Sequence, residues 1–157
     1  MIKVFISHQR ADAEKAREIS LRLQEHHQIS SYLDVIDTKL GYAGEDLAEY
    51  IRTQMGTCNQ LLAVVSHSTK ASQWVPWEIG VATEKSFPLA TFANTLEAVP
   101  EFVANWPVLR SMNAVDAYAV ASKSAANSFS TKRSYLNEDN ARKTSTKEFY
   151  TMLRARL

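Results

Sequence analysis

The sequence predicts a doubly wound α/β domain of three layers, in which a parallel sheet of about five strands is covered by helices on both faces. Two observations lead to this prediction. Short apolar runs rich in β-branched and aromatic residues alternate with segments whose apolar residues recur at helical spacing. The run from Gln60 to Ser66 is almost uniformly apolar, as expected of a central strand that is buried on both faces. Alternating strands and helices imply right-handed crossovers and therefore parallel pairing.

The part of the chain up to residue 85 is predicted to contain strands and helices in alternation. In order, these are the strand 3–7, a helix capped by Asp12, the strand 31–35, a helix after the turn-rich stretch 37–44, the strand 60–66, and a helix that follows the polar loop 67–73. Apolar residues three or four positions apart indicate the buried faces of the first two helices, namely Ala16, Ile19 and Leu23, and Leu47, Ile51 and Met55.

Beyond residue 85 the pattern predicts a strand at 88–93, a short helix at 97–105 and a fifth strand at 116–120. The stretch 122–146 is rich in Ser, Lys, Asn and Thr and has little apolar periodicity, so we expect a polar loop or insertion there. Three apolar residues then predict a closing helix over about 147–156: Phe149, Met152 and Leu153. At 157 residues the chain is about one domain long, so 1–157 is predicted to be a single domain.

Composition narrows the classes of partner. The 18 basic and 17 acidic side chains nearly cancel, and a protein that neutralises many phosphates usually carries a basic excess, so no nucleic acid is expected. No apolar stretch approaches the roughly 20 residues that cross a bilayer, and the first apolar run is too short for a signal peptide. Cys58 is the only cysteine, which excludes an internal disulfide and favours a reducing compartment. We therefore expect a cytoplasmic protein with no membrane contact.

Ligands of open parallel sheets bind outside the carboxyl ends of the strands. The glycine loops of dinucleotide-binding and P-loop proteins do not occur there, since Ser7-His8-Gln9-Arg10 follows the first strand. A phosphoacceptor domain would need acidic residues at the ends of the first and third strands, where Ser7-His8 and Val65-Ser66 stand. The adjacent His26 and His27 do not share a helix face, so no metal is predicted. Ser66-His67-Ser68 is interpreted as a helix cap rather than part of a catalytic triad.

The segment from Ser72 to Glu78 is the most informative. Pro76 is tolerated only in the first turn of a helix, so a helix begins here. Its first residue is either Trp74 or, because the residue before a proline avoids helical dihedrals, one near Val75. In the first case Trp74 and Glu78 are i and i+4 and share one side of the helix. From spacing alone, Glu78 is either a functional carboxylate or a solvated glutamate that interacts with the helix dipole, and the tryptophans line a site or pack in the core.

Several segments together resemble the Toll/interleukin-1 receptor (TIR) domain family, in its stand-alone bacterial form. They cover about residues 2 to 118 in the family's order: Val4-Phe5-Ile6-Ser7-His8 with Asp12, Tyr32-Leu33-Asp34 with Gly44-Glu45, Cys58 to Ser66, Ser72-Gln73-Trp74-Val75-Pro76-Trp77-Glu78, and Trp106-Pro107. The fourth segment is similar to the serine, Trp-Val and glutamate signature of the family. The resemblance implies a flavodoxin-like fold and, for bacterial members, cleavage of NAD⁺ between nicotinamide and ribose.

The resemblance also implies roles for residues. Glu78 falls on the catalytic glutamate of the family, and Trp74 falls on an aromatic residue that lines the site. Six more residues fall in segments whose counterparts in the family contact the nucleotide: Phe5, Ser7, His8, Arg10, Asp34 and Tyr42. In Gln9-Arg10 one residue is basic, whereas some members have a basic pair. NAD⁺ would be the substrate, with no further cofactor and no metal.

A single carboxylate suits this reaction. Glycoside hydrolysis ordinarily uses two carboxyl groups, one of which protonates a poor leaving group. Nicotinamide leaves NAD⁺ as a neutral molecule and needs no acid, so an ionised Glu78 that stabilises the ribosyl cation is sufficient. Capture of the cation by water gives ADP-ribose, and capture by an atom of the same molecule gives a cyclic isomer. The sequence does not choose between the two products.

The resemblance extends to partners. A lone TIR enzyme is similar to the signal-producing component of anti-phage systems such as Thoeris, in which a diffusible cyclic product activates a separate effector, and TIR domains self-associate. Two alternatives stay open. One is a non-catalytic TIR adaptor or effector that acts by TIR–TIR binding. The other is a nucleoside deoxyribosyltransferase-like enzyme, whose glutamate also attacks an N-glycosidic carbon.

Overall fold

The computed structural model describes residues 1–33, 45–95 and 99–157. In these residues the secondary-structure elements follow one another as β1 Lys3–His8, α1 Ala13–His27, β2 Ser30–Leu33, α2 Glu45–Gly56, β3 Gln60–Val64, α3 Trp74–Glu84, β4 Leu89–Phe92, β5 Val108–Leu109, α4 Met112–Lys132 and α5 Glu138–Arg154. Short 3₁₀ turns occupy residues 10–12, 67–71 and 101–103. The strands form one parallel sheet in the order β2-β1-β3-β4-β5. The predicted doubly wound, flavodoxin-like architecture is confirmed.

The sheet separates two apolar layers, because successive side chains of a strand point to opposite faces. Val4 and Ile6 of β1 pack with α1, α4 and α5, whereas Phe5 packs with α2 and α3. The predicted inner faces of α1 and α2 are confirmed, since all six residues are buried: Ala16, Ile19, Leu23, Leu47, Ile51 and Met55. Burial of each large apolar side chain contributes about 1.5–3 kcal/mol.

The strand order determines where a ligand crevice forms. From β1 the chain passes to β2 on one side of the sheet, and from β3 it passes to β4 on the other. The order therefore reverses between β1 and β3, and ligands of open α/β sheets bind outside the carboxyl ends of the strands at such a point. His8 and Val64, which are paired in register, mark this edge, and we call it the carboxyl edge.

The predicted loop at 122–146 is wrong, because α4 and α5 occupy most of it and residues 133–137 connect them. Helical structure was missed in this stretch because its buried side chains are small or carry a hydroxyl group, namely Ser122, Ala125, Ala141, Ser145 and Thr146. Two of the hydroxyls donate to backbone oxygens, Ser145 to Arg142 and Thr146 to Ser86. The apolar periodicity that identifies a helix is therefore absent.

Two further predicted elements, the fifth strand and the closing helix, differ from the structure. The predicted fifth strand at 116–120 is wrong, since these residues lie in α4, whose first turn is capped where Ser111 Oγ accepts from the Ala114 amide at 3.2 Å. The fifth strand is the two-residue β5, which is too short to give a pattern. The closing helix predicted over 147–156 begins earlier, at Glu138, after Asn137 Oδ1 accepts from the Asn140 amide. In the described ranges, no helix has both the length and the apolarity needed to span a membrane.

Candidate functional site

Glu78 lies on the inner side of α3. The helix begins at Trp74, and the hydroxyl of Ser72 accepts from the amide of Val75 at 3.2 Å, so Pro76 falls in the first turn as expected. The residues of α3 that are buried against the sheet have helical spacing and include the glutamate: Val75, Glu78, Ile79 and Ala82. Glu78 is 0% exposed. The interpretation of Glu78 as a solvated first-turn residue is therefore wrong.

Ser7 of β1 holds this carboxylate. Its hydroxyl donates to Oε2 of Glu78, and both side chains are fully buried. Burial of a carboxylate is costly unless it is hydrogen-bonded, and Ser7 supplies such a bond. The bond joins residues 71 positions apart in the sequence. It fixes Glu78 over β1, at the point where the strand order reverses.

Thr91 of β4 lies in the same row of the sheet. Ser7 is paired in register with Ala63, and Ala63 with Thr91, so the three side chains share the face that is covered by α3. Thr91 is fully buried, and its Oγ1 has no hydrogen-bond partner among the described residues. Buried polar atoms of this kind are uncommon. We did not predict Thr91 from the sequence, although it is the one hydroxyl residue in the apolar run 88–93.

Two tryptophans border Glu78 on α3. Trp74 is one turn before the glutamate, on the same side of the helix, and it is partly exposed. Its ring meets that of Trp77 edge to face, with centroids 5.6 Å apart and an interplanar angle of 85°. Both pack against the apolar layer that contains Phe5. Trp77 also lines a surface pocket together with Arg52 of α2. The pair therefore forms an aromatic wall that is part core and part accessible surface.

The loops after β1 and β3 are joined to each other. Asp12 Oδ2 accepts from the Ser66 hydroxyl at 3.0 Å, so the prediction that the Asp12 side chain caps α1 is wrong. Gln9, with its amide nitrogen facing Ser68, donates to the Ser68 carbonyl at 2.9 Å and accepts from the Ser72 amide at 3.2 Å. The Ser66 hydroxyl accepts from the amide of Ser68, so this segment caps the 3₁₀ turn 67–71 rather than α3. These contacts fix the segment that leads into α3.

The structure separates the other predicted contact residues. Phe5 is 0% exposed and stacks on Tyr32 with centroids 5.5 Å apart, so it supports the site from within the core. His8 is 7% exposed, and its Nδ1 contacts the Ile6 carbonyl at 3.1 Å. Because side chains alternate along β1, His8 points to the face opposite Ser7. Arg10 is exposed on the 3₁₀ turn after β1. Asp34 and Tyr42 lie outside the described residues.

The described part of the carboxyl edge therefore has three chemical features. These are the buried carboxylate of Glu78 with its hydrogen bond from Ser7, the tryptophan pair of α3, and the exposed guanidinium of Arg10. Such a carboxylate can stabilise a developing positive charge or accept hydrogen bonds from hydroxyl groups, because its own donor holds it in place. Aromatic side chains can stack on a flat ring. The arrangement suits a ligand that has both a flat ring and a centre that becomes positive.

Comparisons with known proteins bear on the family. A family model for the TIR domain matches residues 4–129. Among solved structures, the chain is similar to the TIR domains of the activated Roq1 resistosome directly recognizing the pathogen effector XopQ, with 14% identity, a TM-score of 0.47, and coverage of 98% of this chain and 84% of that chain. It is also similar to a diflavin flavoprotein A3 from Nostoc sp., with 10% identity, a TM-score of 0.42, and coverage of 98% and 91%.

A search of curated proteins gives no match. The family model nevertheless spans most of the chain and includes Ser7, Trp74 and Glu78. It also reaches beyond residue 118, where the resemblance noted in the sequence ends, into α4. The chain belongs to the TIR domain family.

Proposed function

We propose that this chain is a NAD⁺ glycohydrolase or cyclase that cleaves the bond between nicotinamide and ribose, with Glu78 as its catalytic residue. The observation that supports this most strongly is the burial of the Glu78 carboxylate, hydrogen-bonded by Ser7, at the edge where the strand order reverses. A glutamate with only a structural role on α3 would be more stable in solvent than among the apolar side chains of this face.

The reaction needs one carboxylate. As the bond between C1′ of the ribose and the pyridinium nitrogen breaks, its electron pair leaves with nicotinamide, which departs as a neutral molecule. The ribose becomes an oxocarbenium-like cation, and the ionised Glu78, positioned by Ser7, stabilises it electrostatically and accepts hydrogen bonds from the ribose hydroxyls. Trp74 stacks on a ring of the dinucleotide and excludes water. Arg10, Asp34, Tyr42 and His8 remain proposed nucleotide contacts, whereas Phe5 is fully buried and supports the site from the core.

The fate of the cation determines the biological role. Capture by water gives ADP-ribose and a proton, whereas attack by an adenine or ribose atom of the same molecule gives a cyclic isomer. We propose a cytoplasmic protein whose cyclic product activates a separate effector in anti-phage defence of the Thoeris type, with self-association through TIR–TIR contacts. NAD⁺ is the substrate in this scheme, and neither a metal nor a further cofactor takes part.

The substitution Glu78→Gln tests the catalytic assignment. It keeps the size of the side chain and an acceptor for Ser7 but removes the charge, so nicotinamide release is expected to fall by about a hundredfold or more. Release is measured by chromatography and mass spectrometry with NAD⁺ over a range of protein concentrations, because self-association is part of the proposal. The matched control is Glu84→Gln, the same change at an exposed position of α3, which keeps wild-type activity.

The same assay separates the alternatives. Nicotinamide release together with an isomer of ADP-ribose supports cyclisation, and release with ADP-ribose alone supports hydrolysis. Folded wild-type protein that releases no nicotinamide at any concentration overturns the proposal in favour of a TIR adaptor. Base exchange on deoxynucleosides points instead to the transferase. Turnover of Glu78→Gln within about twofold of wild type contradicts the role of Glu78.

A further inference from the structure

A cavity lies at the amino ends of the strands, at the opposite end of the sheet from Glu78. Its volume is about 220 Å³, below the roughly 300 Å³ at which drug-sized sites begin, so it suits a fragment-sized molecule. It is lined by three residues that precede or begin strands, Ile2, Gln60 and Pro88, and by the facing sides of α4 and α5. The stretch 122–146, which sequence patterns assigned to a loop, therefore forms most of its wall.

Gln60 gives this cavity a buried polar group. The residue is 3% exposed, and its Oε1 accepts from the Tyr118 hydroxyl at 2.8 Å and from the Ser122 hydroxyl at 2.7 Å. Both hydroxyls belong to α4, and they fix the orientation of the amide. The amide nitrogen, Nε2, is at the other end, and in the described ranges it has no hydrogen-bond partner. Because Gln60 lines the cavity and its oxygen is engaged by the two hydroxyls, we infer that this nitrogen is the donor that the amide offers to a ligand there.

The wall combines apolar surface with positive charge. Ile2, Ala125 and Phe129 supply apolar surface, and the guanidiniums of Arg142 and Arg133 lie 5.0 and 5.6 Å from the Phe129 ring centroid. Arg142 is paired with Glu138 at 2.9 Å. Arg133 forms no ion pair with any residue that the structure describes. The charges of Arg142 and Glu138 cancel, so the wall carries a net charge of one positive unit from Arg133.

We propose that this cavity binds a small monoanionic carboxylate with an apolar body, independently of the NAD⁺ chemistry at Glu78. The body fills the space against Phe129, an oxygen accepts from Nε2 of Gln60, and the negative charge is balanced by the guanidinium of Arg133. Each part of this ligand matches one feature of the cavity: the Nε2 donor of Gln60, the apolar wall at Phe129, and the guanidinium of Arg133.

Benzoate is the probe, with benzyl alcohol as its neutral counterpart, titrated at millimolar concentration without NAD⁺. Two-dimensional amide NMR follows the side-chain NH₂ of Gln60, which is expected to shift and saturate with benzoate. Arg133→Gln is expected to weaken benzoate binding about fivefold or more, since it removes the charge. Arg17→Gln, at an exposed site on α1, leaves binding unchanged. Ala126→Leu fills the cavity and abolishes the shift.

Three outcomes overturn the proposal. The first is that the Gln60 resonances do not move at saturating benzoate. The second is that benzyl alcohol binds as tightly as benzoate and Arg133→Gln has no effect, which contradicts the monoanion. The third is that a folded Ala126→Leu protein binds normally, which places benzoate elsewhere. None of these outcomes depends on whether the chain cleaves NAD⁺.

Discussion

Two buried polar groups, one on each face of the sheet, have opposite surroundings. Near the amino ends of the strands, the Gln60 oxygen accepts from two hydroxyls of α4, and the side chain is neutral. Near the carboxyl edge, Glu78 is an acid whose Oε2 accepts from the hydroxyl of Ser7 on β1. The first group joins a helix to the sheet within the core. The second places an acid at the edge where the strand order reverses and where ligands of open α/β sheets bind. Substitution of Gln60 is therefore expected to affect stability, and substitution of Glu78 to affect activity.

Gln60→Leu has the largest expected effect on stability. It keeps an apolar body but leaves the hydroxyls of Tyr118 and Ser122 buried without their acceptor, so the free energy of unfolding is expected to fall by about 2–4 kcal/mol. Urea denaturation followed by circular dichroism measures this change. Gln24→Leu, the same change on the exposed side of α1, is the control and should stay within about 0.5 kcal/mol. Equal effects for the two variants would show that the Gln60 contacts do not stabilise the fold.

Ser7→Ala tests the other side of the comparison. The loss of a hydrogen bond to a charged group costs about 1.5–3 kcal/mol, so kcat for nicotinamide release is expected to fall about tenfold or more. KM should change little, because Ser7 acts by positioning Glu78. Steady-state kinetics with NAD⁺ separates the two parameters, and Ser130→Ala on the exposed side of α4 serves as the control. A change confined to KM would indicate that Ser7 contacts the substrate instead.

An ion pair between α1 and α4 should have the smallest effect. Arg22 donates through Nε and Nη2 to Asp116 at 2.9 and 2.7 Å, and His27 contacts the same carboxylate at 2.7 Å. The hydrogen bond from Arg22 is the main cause that holds the pKa of Asp116 well below its usual range, with a smaller contribution from His27. A carboxyl whose pKa is lowered in the folded state stabilises the protein above its ordinary pKa, and this contribution is lost as the pH falls.

The measurement compares the wild type with Asp116→Asn. At pH 7 the variant is expected to be less stable by about 0.5–1 kcal/mol, because the pair is partly exposed and screened by solvent. The difference should stay near its full size down to about pH 5 and shrink as the pH is lowered further, through the ordinary aspartate pKa near about 4. Urea denaturation at each pH provides the values. A difference that stays constant with pH would contradict the ionic origin of the contribution.

The sequence allowed prediction of those parts of the fold that depend on large apolar residues. Strand β3 and the inner faces of α1 and α2 follow from Leu, Ile, Val and Met at regular spacing. Helix α4 and the first half of α5 were missed because residues such as Ser122 and Thr146 fill their inner faces there, and β5 was missed because it has two residues. In both cases the missing signal is the large apolar side chain on which periodicity depends.

The candidate site was predictable only in part. Spacing placed Trp74 and Glu78 on one side of a helix, but that side faces the sheet because of Val75, Ile79 and Ala82, and spacing alone does not show this. The contact with Ser7 links residues 71 positions apart, which only the folded chain brings together. The family resemblance singled out Glu78, but its burial and its contact with Ser7 come from the structure. Thr91 became visible only through the strand register.

The most direct test of the central claim is to measure both the unfolding free energy and the NAD⁺ turnover of the single variant Glu78→Gln. If Glu78 is buried for chemistry, its neutral counterpart should be as stable as the wild type or more so, because a buried charge has been removed, while turnover falls by about a hundredfold or more. Retained turnover together with a loss of stability as large as that of Gln60→Leu would contradict this, and would make Glu78 a structural residue.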